Sequence, residues 1–191
     1  MQYCDGSMHS GARTSASDET FGLWFSGHHT IAATIDHLSR HTGLNASAPA
    51  ARAGGGHAAQ QKTHVVFSGG SAGGVGVFSN FEYVQAVLPH ATVLGAPIGG
   101  FVPEIHWFTG AHHTTPPDDL RTPAFRRLVE LYQSYLPEAC VRAMGADAYK
   151  CELPHFSYPH LTVPVFIIEA ITDSVVLGGF EGVSNANTPS D

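Results

Sequence analysis

Basic residues are scarce in this chain of 191 residues, which has 9 lysines and arginines against 16 aspartates and glutamates. The formal charge of −7 argues against nucleic-acid binding, because phosphate contacts need clustered Lys and Arg. The sequence also lacks a phosphate-cradling Walker motif and the glycine fingerprint of a dinucleotide-binding fold. No stretch approaches the roughly 18 continuous apolar residues that a membrane-spanning helix needs. These absences exclude the common nucleotide-binding, nucleic-acid-binding and membrane-spanning classes.

The N-terminal residues MQYCDGSMHSG have neither the basic start nor the apolar core of a secretory signal peptide. Hydrophobic residues make up 43% of the sequence and charged residues 13%, so we expect one folded domain over residues 1–191. Two segments are exceptions. Residues 45–61 have no large apolar side chain and are predicted to form a flexible insertion, and the Gly/Ser/Asn-rich tail from residue 178 is predicted to be loose.

The three cysteines leave two interpretations open. Cys140 and Cys151 are close enough in sequence for a disulfide that closes a local loop. In this interpretation Cys4 has no cysteine partner within the chain. Alternatively, all three are buried free thiols in a reducing cell. The sequon that begins at Asn45 is a candidate glycosylation site, which matters only in a secreted protein.

The hydrophobic pattern alternates between helix and strand. Apolar residues at helical spacing predict three helices, over residues 27–41, from the glycine turn after residue 71 to about residue 88, and over residues 123–136. Short apolar runs predict three buried strands, at residues 64–67, 92–94 and 163–168. Strands that alternate with helices predict an α/β fold with a mainly parallel sheet flanked by helices.

The segment GGSAG at residues 69–73 fits the G-x-S-x-G pattern of a nucleophile elbow. In this motif a strand turns sharply into a helix and leaves the serine hydroxyl exposed, and glycines at 69 and 73 remove side chains that would collide in the turn. Ser71 is therefore the candidate nucleophile, and the Ala72 N–H is the natural first donor to an oxyanion. The alternative interpretation is a glycine turn with a purely structural role.

An activated serine needs a histidine base and a carboxylate that orients the base. Asp173 follows the predicted strand at residues 163–168 and stands where the acid of this fold belongs, although a loop or capping carboxylate is the alternative. Glu169 is predicted to be structural. The last of the 13 histidines is His160, so none follows Asp173. A base from elsewhere in the chain would have to be one such as His106, His155 or His160.

Two pairs of adjacent histidines, at 28–29 and 112–113, are the only hint of a metal site. Adjacent residues of a helix point in different directions, and neither an H-E-x-x-H motif nor paired-cysteine spacing accompanies them. We predict no metal and no other cofactor.

Four ordered blocks of the sequence resemble the pectin acetylesterase/Notum family. They are Tyr3-Cys4-Asp5-Gly6, the block Gly69 to Gly74 with Asn80, the segment from Glu138-Ala139-Cys140 to Cys151, and Tyr158-Pro159 with the strand Val163 to Ile168 and the dipeptide Asp173-Ser174. The resemblance implies an α/β-hydrolase fold with Ser71 as nucleophile, Ala72 as oxyanion donor and Asp173 as triad acid. It also implies a disulfide between Cys140 and Cys151.

The resemblance further implies a secreted or cell-wall carboxylic-ester hydrolase whose substrate is an acylated polysaccharide, with pectin deacetylation as the first interpretation. A Notum-like protein deacylase is the alternative, and a catalytically inactive binding relative is another, because the triad histidine is absent from this chain. Family members carry the second oxyanion donor before the region that corresponds to residue 1 and the histidine after the region that corresponds to Asp191. We therefore expect these 191 residues to be part of a domain truncated at both ends.

Overall fold

The computed structural model describes residues 1–45, 63–102 and 123–180. The predicted insertion lies outside the described residues except for Asn45, as do His106 and the histidine pair at 112–113. The first 26 residues are irregular apart from one short 3-10 helix, Asp18–Thr20.

Two parallel strands joined by a helix form the centre of the fold. Helix α1 (Gly27–Thr42) precedes strand β1 (Thr63–Gly70), helix α2 (Ala72–Val87) follows it, and strand β2 (Ala91–Ile98) returns beside β1. The strands are in register from Thr63 opposite Ala91 to Gly70 opposite Ile98. These four elements confirm the predicted alternation of helix and strand, and Gly43, with φ 72°, ends α1 in a left-handed conformation.

Residues 163–168 run parallel to the free edge of β2. The sequence predicts a continuous strand here, and the structure does not form one. Isolated bridges join Gly95 to Val165 and Ile98 to Ile168, and the Phe166 and Ile168 amides donate to the carbonyls of Gly95 and Pro97. Pro97 has no N–H to donate, so the ladder is interrupted opposite Phe166. The segment nevertheless brings the residues after Ile168 to the same end of the sheet as the end of β1.

The main core lies on one face of the sheet, where α2 packs against both strands and α1 packs against α2. Its buried members are Ile31, Ile35, Phe81, Val84, Leu88, Ala91 and Val93. The opposite face is exposed in the described structure, with Val66 at 64% and Phe166 at 72% relative exposure. None of the helices in the described ranges is both long and apolar enough to cross a bilayer.

A second, smaller core forms around helix α3 (Pro123–Tyr132), with Phe125, Val129 and Leu153 buried together. The predicted helix over residues 123–136 ends four residues early, because Gln133 adopts a left-handed conformation with φ 50° and Pro137 follows. The pattern missed four short helices directly after it: α4 (Glu138–Met144), the 3-10 helix Gly145–Glu152, α5 (Pro154–Ser157) and the 3-10 helix Tyr158–His160.

The Cys140 and Cys151 thiols form a disulfide that ties α4 to the end of the 3-10 helix Gly145–Glu152, as the family resemblance implied. Cys4 is free and exposed. The side-chain amide of Asn45, the group that glycosylation would modify, donates to the Val87 carbonyl at 3.2 Å. Glycosylation at Asn45 stays a prediction and would compete with that bond. The helical segment Ser174–Phe180 follows Asp173, and the loose tail from residue 178 stays a prediction.

Glu152 is a carboxyl group buried completely in the smaller half of the fold. Neither of its carboxyl oxygens has a hydrogen-bond partner of normal geometry in the described structure. Burial raises the pKa of Glu152 to about 7, while the nearby Ser10 and Ser134 hydroxyls act in the opposite direction. The folded protein therefore holds a proton on Glu152 at pH values where the unfolded chain has lost it.

We expect the free energy of unfolding to fall by about 3 kcal/mol as the pH rises from about 4.5 to 7, because burial disfavours the ionised form of Glu152. Glu152→Gln should remove this slope, which chemical denaturation at several pH values will measure. Glu138→Gln is the matched control, because the Glu138 side chain is 83% exposed and should leave the slope intact. An unchanged slope in Glu152→Gln would show that Glu152 is already ionised in the folded state.

Candidate active site

Ser71 occupies the sharp junction between β1 and α2. Its backbone has φ 52° and ψ −120°, a conformation that is rare and strained for any residue with a side chain. The Ser71 amide donates to the Ile98 carbonyl at 2.8 Å, which fixes the junction against the end of β2. The residue is exposed. This is the geometry that a nucleophile elbow requires, and it places the Ser71 hydroxyl at the end of the sheet.

The glycines around Ser71 have different roles. A Cβ at Gly69 would overlap the Gly73 backbone, so the turn requires glycine at 69. A Cβ at Gly73 would meet nothing closer than 4.0 Å, so the expected collision at this second glycine is absent. The close approach lies one residue further on, because a Cβ at Gly74 would lie 2.8 Å from the Cα of Gly100. This contact packs the first turn of α2 against the residues after β2.

Gly69→Ala should therefore destabilise the elbow by about 2 kcal/mol, the usual cost of forcing a methyl group into a packed site. Gly70→Ala is the matched control on the same strand, because a Cβ there meets nothing within 4 Å. Thermal unfolding of both variants measures the effect. The free energy of unfolding of Gly70→Ala should lie within about 0.5 kcal/mol of the parent value. Equal stability of the two variants would contradict a tight approach between Gly69 and Gly73.

The first turn of α2 provides the candidate oxyanion donors. The amides of Gly74 and Val75 donate to the Ser71 carbonyl at 2.7 and 3.1 Å. Helix geometry leaves the amides of the preceding residues, Ala72 and Gly73, without an intrahelical acceptor. The positive end of the helix dipole is at the same place. The backbone beside Ser71 is therefore electropositive, and the role of Ala72 as an oxyanion donor stays a prediction.

Asp173 lies at the same end of the sheet, after residues 163–168. Its Oδ1 accepts hydrogen bonds from the amides of Val175 and Val176 at 2.8 and 3.0 Å, so it caps the helical turn that follows. Its Oδ2 has no hydrogen bond in the described structure and lies 4.0 Å from the position that a Cβ on Gly99 would occupy. Asp173 thus caps a helical turn, which was the alternative to its role as triad acid. Its second carboxylate oxygen remains available to another partner.

Glu169 joins the ends of two neighbouring chain segments, as expected of a structural carboxylate. Its Oε1 accepts hydrogen bonds from the amides of Gly100 and Phe101 at 2.9 and 2.6 Å. Gly99, with φ 57°, stands beside this junction, and its amide donates to the Ile168 carbonyl at 2.9 Å. These bonds hold the residues after β2 between Ser71 on one side and Asp173 on the other.

A cavity of about 590 Å³ runs along the edge of β1 that no described strand covers. Ser71, Ala72 and Gly73 line it at the elbow end. Its other walls are mainly apolar side chains of α1, β1, α2 and the residue that follows α2, including Ile31, Leu38, Val65, Phe67, Val84 and Leu88. The candidate nucleophile therefore stands at the mouth of an apolar space.

The two suggested alternative bases that the structure describes do not line this cavity. His155 and His160 are not among its lining residues, and His106 lies outside the described part of the chain. His28 has a structural role: its Nδ1 is 2.7 Å from the Asn80 Oδ1, and its ring stacks on Tyr135 with centroids 3.9 Å apart. Burial lowers the pKa of His28, and the Asn80 contact opposes this shift.

One histidine that the sequence did not single out does line the cavity. His9 lies against α2, and the buried Asn80 side chain donates to its backbone carbonyl at 3.0 Å. The resemblance had marked Asn80 without assigning it a role. The structure shows that Asn80 joins the N-terminal loop to the nucleophile helix. Since residues 9 and 80 are 71 positions apart, no local pattern could have predicted this contact.

A parallel sheet with helices, a strained serine at a strand-to-helix turn and an acid after a later strand segment define the chain as an α/β-hydrolase fold. Solved structures agree: two crystal forms of the Wnt deacylase Notum from Drosophila match with TM-scores of 0.66 and 0.69 at 26% and 25% identity. The matches cover 87% and 89% of this chain and 42% and 45% of those chains.

The sequence model described as Pectinacetylesterase matches residues 1–190, so the chain belongs to the pectinacetylesterase family. The palmitoleoyl-protein carboxylesterase NOTUM of Drosophila melanogaster is 30% identical over 105 residues, which are 55% of this chain and 16% of that protein. The corresponding protein of Schmidtea mediterranea is 26% identical over 187 residues, which are 92% of this chain and 31% of that protein. The chain thus spans less than a third of the length of these two relatives.

Proposed function

We propose that the protein is a serine carboxylic-ester hydrolase that works through an acyl-enzyme on Ser71. The observation that carries the proposal is the strained backbone of Ser71, with φ 52° at the start of α2. Strain of this kind costs of order 1–3 kcal/mol and persists where function requires it. Membership of the pectinacetylesterase family supports the same activity.

In the proposed reaction the Ser71 oxygen attacks the ester carbonyl while a histidine base takes the hydroxyl proton. We expect that histidine from a part of the protein beyond these 191 residues. The Ala72 amide stabilises the negative oxygen of the tetrahedral intermediate. Collapse breaks the bond to the alcohol, which leaves with the proton from the histidine, and Ser71 remains acylated. Water then attacks the acyl group by the same steps and releases the carboxylic acid.

The first candidate substrate is an acetylated polysaccharide such as pectin, because the family model covers nearly the whole chain. The second candidate is an ester of a long acyl chain. Two observations favour it: the relatives are named as palmitoleoyl-protein carboxylesterases, and the cavity beside Ser71 has mainly apolar walls. Either activity belongs outside the reducing cytosol, since the Cys140–Cys151 disulfide persists in oxidising compartments.

The test is covalent labelling of the full-length protein by a serine-reactive fluorophosphonate, followed by kinetics on esters of one alcohol with acyl chains from two to sixteen carbons. We expect labelling on Ser71 and turnover of the acetyl ester. A kcat/KM that rises with chain length would establish the second candidate instead. Absence of both labelling and turnover would leave an inactive binding relative as the function.

A further inference from the structure

Two histidines four residues apart, His37 and His41, lie together on the surface of helix α1 and are called the spaced pair below. Their rings are in contact, with centroids 4.4 Å apart and planes inclined by 39°. Both residues are exposed, and neither ring has a hydrogen-bond partner in the part of the chain that the structure describes. Residues at this spacing are neighbours on one face of a helix, so the backbone of α1 itself sets the separation of the two imidazoles.

The other two histidines of α1 have structural partners. The Nδ1 of His28 is 2.7 Å from the Asn80 Oδ1, and the Nε2 of His29 is 2.8 Å from the Ala12 carbonyl oxygen. The adjacent pair at 28–29 was the hint of a metal site in the sequence, and one nitrogen of each ring is already bonded within the protein. The spaced pair differs in both respects. Its rings share one face of the helix, and among the described residues nothing bonds their nitrogens.

The separation of the two rings matches that of two imidazoles on one metal ion. At a metal–nitrogen distance of about 2.0 Å, two imidazoles bound at right angles have ring centroids roughly 4.5 Å apart, and a tetrahedral angle widens this to roughly 5 Å. The observed 4.4 Å is close to the right-angle value, which square-planar Cu²⁺ adopts, and a small widening reaches the geometry of Zn²⁺. Two histidines at this spacing on one helix face also supply the zinc ligands of the H-E-x-x-H motif.

The charges around the spaced pair favour a cation. His41 is in the last turn of α1, where the helix dipole places partial negative charge. The basic neighbour Arg40 is paired with Asp36, with the Arg40 Nε 2.9 Å from the Asp36 Oδ1. Protonation of both imidazoles would put like charges four residues apart, which destabilises a helix. A metal ion bound to the neutral rings replaces this repulsion with two coordinate bonds.

We propose that His37 and His41 bind one late transition-metal ion, Cu²⁺ more tightly than Zn²⁺, and that the ion clips the last turn of α1. Imidazole suits both ions, and Cu²⁺ binds a given set of ligands more tightly than Zn²⁺ does. No group of three or more His, Cys, Asp or Glu side chains in the described ranges could hold an ion, so water completes the coordination. Ile35 and Leu38 of the same helix line the cavity beside Ser71. The ion therefore braces a wall of the candidate active site, and the proposal does not depend on ester hydrolysis.

The test is calorimetric titration of the full-length protein with cupric chloride and, separately, with zinc chloride. His37→Gln and His41→Gln should each weaken binding at this site about tenfold or more, because the remaining imidazole loses the partner that binds the same ion intramolecularly. Glutamine is a good helix former, so α1 stays folded in both variants. His90→Gln is the matched control, because His90 is an exposed histidine outside α1 and its replacement should leave the affinity within about twofold of the parent.

Thermal unfolding with and without saturating Cu²⁺ supplies a second readout. An ion that clips α1 should raise the unfolding midpoint of the parent and of His90→Gln by a few degrees, and this rise should be lost in His37→Gln and in His41→Gln. Equal affinity in the parent and both α1 variants would overturn the proposal, as would a loss confined to one of them, which marks a single imidazole rather than a chelating pair. A midpoint rise that survives both substitutions would place the stabilising ion elsewhere and overturn it as well.

Discussion

Ser71→Ala in the full-length protein should lower ester turnover by about 10⁴- to 10⁶-fold, because it removes the only atom that forms the acyl bond. Ser71 is exposed and makes no side-chain hydrogen bond in the described structure, so the folded state loses little with its hydroxyl. The backbone strain at φ 52° is the same for alanine as for serine. We therefore expect a large change in kcat with an unfolding midpoint close to that of the parent.

Ser71→Gly separates catalysis from strain at the same position. Glycine adopts positive φ without the steric cost that a side chain brings, so this variant should be equally inactive yet more stable, by about 1 kcal/mol. Initial rates and thermal unfolding of the parent and both variants supply the comparison. Turnover that survives in Ser71→Ala would move the nucleophile elsewhere, and a Ser71→Gly variant no more stable than the parent would contradict stored strain at the elbow.

Those parts of the fold that depend on short-range patterns were predictable from the sequence. Each of these patterns relates residues that are only a few positions apart in the sequence. Examples are the helical spacing in α1, the apolar run of β1 and the glycines around Ser71. The G-x-S-x-G pattern also carries its own geometry, because the turn that it requires leaves few backbone conformations open. The resemblance added the Cys140–Cys151 disulfide, which spacing alone had left open against free thiols.

Those parts that depend on distant contacts were not predictable. The apolar run at residues 163–168 is typical of a strand, but the neighbouring Pro97 cannot donate a hydrogen bond. A pairing between residues 70 positions apart also has no local sequence pattern. Burial of Glu152 in a smaller core was equally hidden, since a lone glutamate in sequence is usually an exposed one. Among 13 histidines, only the tertiary structure distinguishes His9 from His28.

The substitution Asp173→Asn tests whether the carboxylate is a triad acid or only a helix cap. Asparagine can still cap the helical turn, but it has no negative charge. The Asn Oδ1 still accepts hydrogen bonds from the amides of Val175 and Val176, so the helical turn after residue 173 keeps its cap. The negative charge that would orient and stabilise a protonated histidine is lost. If Asp173 is the triad acid, kcat should fall by about 10⁴-fold with little change in stability.

Glu169→Gln is the matched control for charge at this end of the sheet, because Gln still accepts from the amides of Gly100 and Phe101. It should keep turnover within about tenfold of the parent, since Glu169 acts on backbone rather than on the base. Asp173→Ala removes cap and charge together and should lose about 1 kcal/mol of stability as well as activity. If Asp173→Asn is active while Asp173→Ala is unstable, Asp173 is a cap alone, and the acid must come from another carboxylate of the full-length protein.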